Sequence, residues 1–338
     1  MHVHRLPAGL ASAALTLIAM GGAPAQDVVD DALVTKAKAS EELVDGWSRG
    51  LELGFTGSFN HSDHVVGAPD GSTVQFGVVL SGNADLVQGA QEWENELKLQ
   101  HTQSKSPALD RFVKSVDQLD LQTTYLYHMT SPDWFGPFAR ASLSTSVLKG
   151  YEVRTSDTDV RRVDEDGTVT DVVVPAENDI DLTGAFEPML LKETVGVFAD
   201  PIREDNIALG SKAGLGLQQV VVSDGYALAS EDGGLMTLSQ LQGASEIGAE
   251  MELDLNGKSG ESVSYEATLN LFYPISSSSD HEFDGLKALN TDLSGKVSFK
   301  LSGWASFDYV LGIKRLPVLL DEWQITNGFI LTAGFSLL

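Results

Sequence analysis

From Trp47 almost to the last residue, apolar and polar side chains alternate with a period of two, the pattern of strands that have one apolar and one wet face. The cleanest run sets Ile247, Ala249, Met251, Leu253 and Leu255 against Glu246, Gly248, Glu250, Glu252 and Asp254. No helix face has that spacing. Leu51, Leu53, Phe55 and Phe59 oppose Glu52, Thr56, Ser58 and Asn60, while Trp93, Leu97 and Leu99 oppose Glu92, Glu94, Glu96, Lys98 and Gln100. Further runs cover about 74–81, 119–128, 135–149, 181–199, 206–222, 262–274, 291–312 and 329–338. Several are longer than the mean strand of globular proteins and match the roughly 9–11 residues with which a strand crosses a bilayer.

The connections alternate as well. Short turns are predicted at Asp85 to Gly89, Thr130 to Asp133, Asp200 to Asp205 and Asn256 to Glu261, and long polar loops near 150–180, 223–242 and 276–290. Short turns at one end and long loops at the other characterise outer-membrane barrels, whose short turns face the periplasm. Eleven runs are visible, and single-chain bacterial barrels have an even number. The extra strand is sought in Val160 to Val174, in Tyr226 to Leu241, or in a split of 291–312. The pattern thus predicts an all-β fold over 47–338: an up-and-down antiparallel transmembrane β-barrel of twelve strands, with ten as the alternative and a soluble periplasmic β-sandwich as the rival fold.

Ahead of that region, Met1 to Arg5 are basic and Leu6 to Met20 are almost wholly apolar. Ala23-Pro24-Ala25 then offers the small residues of a cleavage site. A signal peptide over 1–25 follows, and the loosely helical, charged segment 26–46 reads as a periplasmic tether or short helix. The apolar stretch is shorter than the roughly 20 residues of a membrane helix. Export with no later apolar helix leaves a closed barrel as the one spanning structure, placed in the bacterial outer membrane.

Charge sharpens this picture. The 338 residues carry 48 Asp and Glu against 22 Lys and Arg, a net charge of -26, which disfavours a nucleic-acid partner. There is no cysteine, so disulfide scaffolds, thiol nucleophiles and thiolate metal sites are excluded. Lys or Arg on a lipid face costs about 2–4 kcal/mol near the midplane, so the polar parity must point inward. It would line the lumen with Glu92, Glu94, Glu96, Glu246, Glu250, Glu252, Asp254 and Glu266 among Lys98, Arg140, Lys212, Lys296 and Lys300. Such a lumen is either a cation-favouring pore or an interior filled by mutually compensating charges. Trp47, Trp93, Trp134, Tyr265, Tyr273 and Trp323 fall near the ends of predicted strands, where interfacial aromatics belong. Trp304 falls on the polar parity of its run and would face the lumen or mark a bulge.

Candidate chemistry is sparse. His61-Ser62-Asp63-His64 gathers two imidazoles and a carboxylate, but no third ligand or general base can be assigned, so it reads as a polar loop. Asp157 to Asp171 lacks the ligand spacing of a calcium loop and reads as a solvated hairpin, with loose divalent bridging to lipopolysaccharide the alternative. His128, on the inward parity, could serve a lipid hydrolase as base, yet no serine stands out beside it. No metal or cofactor is expected.

Several short stretches carry a resemblance: Trp93-Glu94-Asn95, Lys114-Ser115-Val116-Asp117, Phe138-Ala139-Arg140 through Gly150-Tyr151, Phe186-Glu187-Pro188, and the closing run Phe329 to Leu338. Over about Trp47 to Leu338 the chain resembles an uncharacterised family of Gram-negative outer-membrane β-barrels, defined as a domain of unknown function. The resemblance implies a location and a fold and brings no catalytic residue. The expectation is a non-enzymatic, porin-like channel or structural barrel with an acidic lumen. The alternatives are an accessory subunit docking a protein partner through the tether or the long loops, and a lipid hydrolase. Outer-membrane lipid, lipopolysaccharide and, during insertion, the barrel-assembly machinery are the expected partners.

Overall fold

The computed structural model describes residues 45–62, 71–204, 206–278, 285–317 and 320–336. The predicted leader at 1–25 and nearly all of the predicted tether at 26–46 lie outside the described residues, as do Asp63, His64 and His281.

Period-two alternation produces strands because extended backbone sends successive side chains to opposite faces. There are eighteen among the described residues: β1 (Gly46–Ser62), β2 (Gly71–Gln88), β3 (Gln91–Lys105), β4 (Val113–Tyr127), β5 (Phe135–Thr145), β6 (Gly150–Val153), β7 (Thr158–Val163), β8 (Val169–Val174) and β9 (Asp179–Thr183). They continue with β10 (Met189–Glu204), β11 (Ile207–Val221), β12 (Tyr226–Asp232), β13 (Leu235–Gln240), β14 (Ala244–Ser259), β15 (Val263–Ser277), β16 (Asn290–Lys300), β17 (Ala305–Leu316) and β18 (Leu320–Ser336). Twelve of them close into one barrel in the order β1-β18-β17-β16-β15-β14-β11-β10-β5-β4-β3-β2. Every neighbouring pair is antiparallel, and β1 meets β18 from Glu52↔Ser336 to Gly57↔Leu331.

The twelfth strand comes from splitting 291–312 into β16 and β17. The break is the turn at 301–304, and Trp304 sits there, 59% exposed, so it neither faces the lumen nor marks a bulge. Two other runs were drawn too long. The 135–149 run stops at Thr145, and 181–199 joins β9, which belongs to another sheet, to the start of β10.

The barrel inverts the usual order of a globular core. Phe55, Phe76, Leu121, Val195, Leu215, Ile247, Met251, Ile325 and Leu331 are exposed on the outer face, while Gln100, Thr124, Arg140, Gln218, Glu250 and Glu252 are buried inside. So large an apolar surface is the mark of a protein bathed in lipid. On β17 the outward run Phe307, Tyr309, Leu311, Ile313 ends at Arg315, whose guanidinium lies 5.9 Å over the Trp323 ring. At the opposite rim Arg49 lies 5.0 Å over Trp47. Cation and aromatic ring together suit an interface where one side is apolar and the other wet. Glu193 is an outward exception; it is exposed between Ala141 and Leu217, close to the rim where β10 begins.

Five short connections share one end, the turn end, at 89–90, 128–134, 205–206, 260–262 and 301–304. Strands run further into these turns than the pattern predicts, and Gly89 and Gly260 take positive φ (59° and 67°) where the chain reverses. At the loop end, two segments read as polar loops are folded. The β5–β10 connection supplies β6 to β9 and the β11–β14 connection supplies β12 and β13, which assemble a four-stranded sheet in the order β12-β13-β7-β8 and a β6-β9 pair. β13 and β7 run parallel, from Leu235↔Asp159 to Ser239↔Val163. Val160, Ile180, Leu182, Met236 and Leu238, none more than 3% exposed, form a core under Val174, Tyr226 and Leu228. The acidic hairpin at Asp157 to Asp171 is therefore part of a cored cap. Its outer surface is stitched by Arg161 to Asp171 (2.8 Å), Tyr226 Oη donating to Asp164 (2.6 Å) and Arg154 to Glu231 (3.0 Å).

Candidate functional site: the barrel interior

Inside the barrel the inward parity brings charges together across the wall. Arg140 on β5 reaches Glu250 on β14 (Nη2 to Oε1, 2.5 Å) and also pairs with Glu252. Strands β10 and β11 lie between, so the contact spans three strand spacings, roughly 14 Å of wall. Small inward residues make the reach feasible: Gly196 on β10, and Gly214 and Gly216 on β11. A Cβ at Gly216 would stand 3.0 Å from Glu250 Oε2 and 3.2 Å from Phe272.

The network extends along β11 and β14. Lys212 Nζ lies 2.8 Å from Glu252 and 3.3 Å from Asp254, whose other oxygen accepts the Thr268 hydroxyl at 2.9 Å. Thr194 donates to Glu250. Toward the loop end Glu246 accepts from Gln218 (3.2 Å) and Asn290 (3.5 Å), and toward the turn end Lys296 pairs with Glu266 at 3.1 Å. The Arg140, Glu250 and Glu252 side chains are 6–8% exposed, so each charge depends on its partner rather than on water.

The remaining predicted lumen residues lie elsewhere. Glu94 and Lys98 are half-buried and Glu96 is exposed on the inward side of β3, with Lys98 opposite Asp120 on β4, in a wetter space toward the turn end. Lys300 is exposed as the last residue of β16, where the strand leaves the barrel wall, so it sits at the rim. Trp47, Trp93, Trp134 and Tyr265 lie at the turn end and Tyr273 and Trp323 at the loop end. Trp93 Nε1 donates to Thr123 at 2.7 Å, Trp134 is 42% exposed and Tyr273 39%.

At the turn end Leu126, Phe138 and Phe198 form a small buried apolar cluster facing inward. His128, one residue past β4, packs edge-on against Phe198 at 5.0 Å. Its Nε2 donates to Glu92 and its Nδ1 to the Asp133 carbonyl, both at 2.9 Å. Two oxygen acceptors call for two N–H donors, which only the imidazolium supplies. The Glu92 bond, aided by the Asp133 carbonyl and opposed by burial, raises the His128 pKa above its ordinary value. With both nitrogens engaged, His128 is poorly placed to accept a proton from a serine.

A pH dependence follows. The folded pKa exceeds the unfolded one, so this pair stabilises the barrel below about pH 6.5 and its contribution fades as pH rises through the folded value. Melting temperatures measured from about pH 5 to about pH 9 should fall more steeply for the parent than for His128→Asn; parallel curves would refute the assignment.

Sequence reasoning missed the uncharged partners Thr194, Thr268, Gln218 and Asn290, although each lies on the inward parity. It also missed the inward lysines Lys192 and Lys314. These line a cavity of about 30 Å³ with Glu250, Asn270 and Asp292, and a second cavity of about 40 Å³ lies against β1, β2 and β3.

No family model and no curated protein matches this chain. Among solved structures it is similar to an outer-membrane channel from Pseudomonas putida F1, at 11% identity and TM-score 0.39, covering 90% of this chain and 99% of that one. The translocator domain of the autotransporter NalP from Neisseria meningitidis gives 8% identity and TM-score 0.39 over 88% and 90%. The Pseudomonas putida toluene transporter TodX gives 12% identity and TM-score 0.35 over 87% and 89%.

Proposed function

We propose that the chain is a non-enzymatic barrel of the bacterial outer membrane, a channel whose interior is closed to ions by the Arg140–Glu250–Glu252–Lys212 network. The outward apolar face and the rims at Trp47 and Trp323 suit contact with lipid and lipopolysaccharide, the loop end outside and the turn end in the periplasm. The observation that carries the closure is the burial of the paired charges at 6–8% exposure. An ion entering there would have to shed water and part an existing pair. The half-wet Glu94 and Glu96 region toward the turn end favours cations near the mouth. Purified protein in a planar bilayer under a salt gradient should show no sustained open steps. Porin-sized, long-lived conductance would refute the closure.

A second reading, an accessory subunit, draws on the cored cap at the loop end, since a folded sheet presents a fixed surface to a protein partner. Co-purification of a stoichiometric partner would favour it.

A further inference from the structure

The interior against β1, β2 and β3 is chemically unlike the paired wall. The cavity of about 40 Å³ is lined by Thr56, Ser58, Gln75, Gln100 and Thr102 with apolar Val116 and Ile330, and no lining residue is charged. Gly77 lies beneath two of the hydroxyls: a Cβ there would stand 2.6 Å from Thr102 Oγ1 and 2.7 Å from Thr56 Oγ1. Its missing side chain lets both hydroxyls converge. Gln100 is 2% exposed and Thr102 4%, and the Gln100 Oε1 has no hydrogen-bond partner. Gln118, opposite Gln100 in register and 8% exposed, gives its Nε2 to Asp120 at 3.0 Å and leaves its own Oε1 unpartnered. Buried acceptors of this kind call for a donor, and the space has room for two or three waters.

We propose that this neutral pocket is a transit site for small uncharged polyhydroxylic solutes. The class follows from the lining. A solute hydroxyl can donate to the Gln100 carbonyl while accepting from Thr56 or Thr102, the exchange that ordered water makes. An ion finds no countercharge in this lining to replace its hydration. The room for two or three waters matches a hydroxymethyl group advancing stepwise rather than a sugar ring. The inference rests on reading the chain as a membrane barrel and names what that barrel passes.

The test uses the full protein in liposomes, with glycerol as the probe and osmotic swelling as the readout. Flotation with the vesicles and heat-modifiable gel migration establish insertion separately. Glycerol should enter parent proteoliposomes at least threefold faster than protein-free vesicles. Thr102→Val and Gln100→Leu, which remove the polar groups at nearly constant volume, should each return the rate most of the way to the protein-free value. Gly77→Ala, which drives a methyl between the hydroxyls, should do the same, and Lys300→Gln at the rim should not. Inserted parent protein no faster than bare vesicles, or fast entry indifferent to all three pocket substitutions, would overturn the transit site while leaving the membrane barrel standing. Failure to float would overturn both.

Discussion

Replacing Arg140 with methionine is expected to destabilise the barrel by about 3–5 kcal/mol, the cost of leaving a buried charge without its partner. Glu250 loses its salt-bridge partner and is left with Lys192 across the cavity they share, whereas Glu252 keeps Lys212 at 2.8 Å. The double variant Arg140→Met/Glu250→Gln should therefore recover more than half of the loss, because it removes the carboxylate left without a salt bridge. Chemical unfolding of the refolded protein, followed by tryptophan fluorescence, would measure both. A single variant as stable as the parent would mean that water reaches these carboxylates, and the closed interior would have to be abandoned.

The second large effect is expected in the cap. Leu238, 0% exposed at the centre of its core, should cost about 2–5 kcal/mol of local stability when cut to alanine. A unit this small holds only about 3–5 kcal/mol in all, so the substitution should open it. The barrel carries its own ladder of antiparallel pairs and should remain intact. Trypsin added to intact proteoliposomes should then cut at Arg161 and Arg162 in Leu238→Ala and spare the parent, with heat-modifiable migration unchanged. Equal protection of the two would show that the cap core contributes little.

The barrel was legible in the sequence because one physical rule governs every strand: one face meets lipid and the other does not. That rule placed Glu250, Glu252, Arg140 and Lys212 on a common parity. Parity says nothing about which inward groups meet, because Arg140 and Glu250 are joined across two intervening strands whose only sequence signal is Gly196, Gly214 and Gly216. The cap was legible only in part: Val160 to Val174 and Tyr226 to Leu241 stood out as strand candidates, but not their assembly into one sheet. β7, β9 and β13 are 5–6 residues long, too short for alternation to stand out, and their core residues come from two inserts that no local pattern connects. Trp304 and Lys300 were misplaced because the turn at 301–304 carries no strong breaker apart from Gly303.

The parallel junction of β7 with β13 has a consequence for biogenesis. Its two halves emerge from different gaps in the wall, with β10 and β11 synthesised between them. Neither half can bury Val160 or Met236 alone, so the sheet closes only after both inserts have crossed to the same side. With the loop end outside, as proposed, cap closure would be a late, non-local event that reports completed translocation, and a protease supplied from outside would distinguish finished molecules from stalled ones. An epitope or affinity tag spliced into either insert would disturb the other.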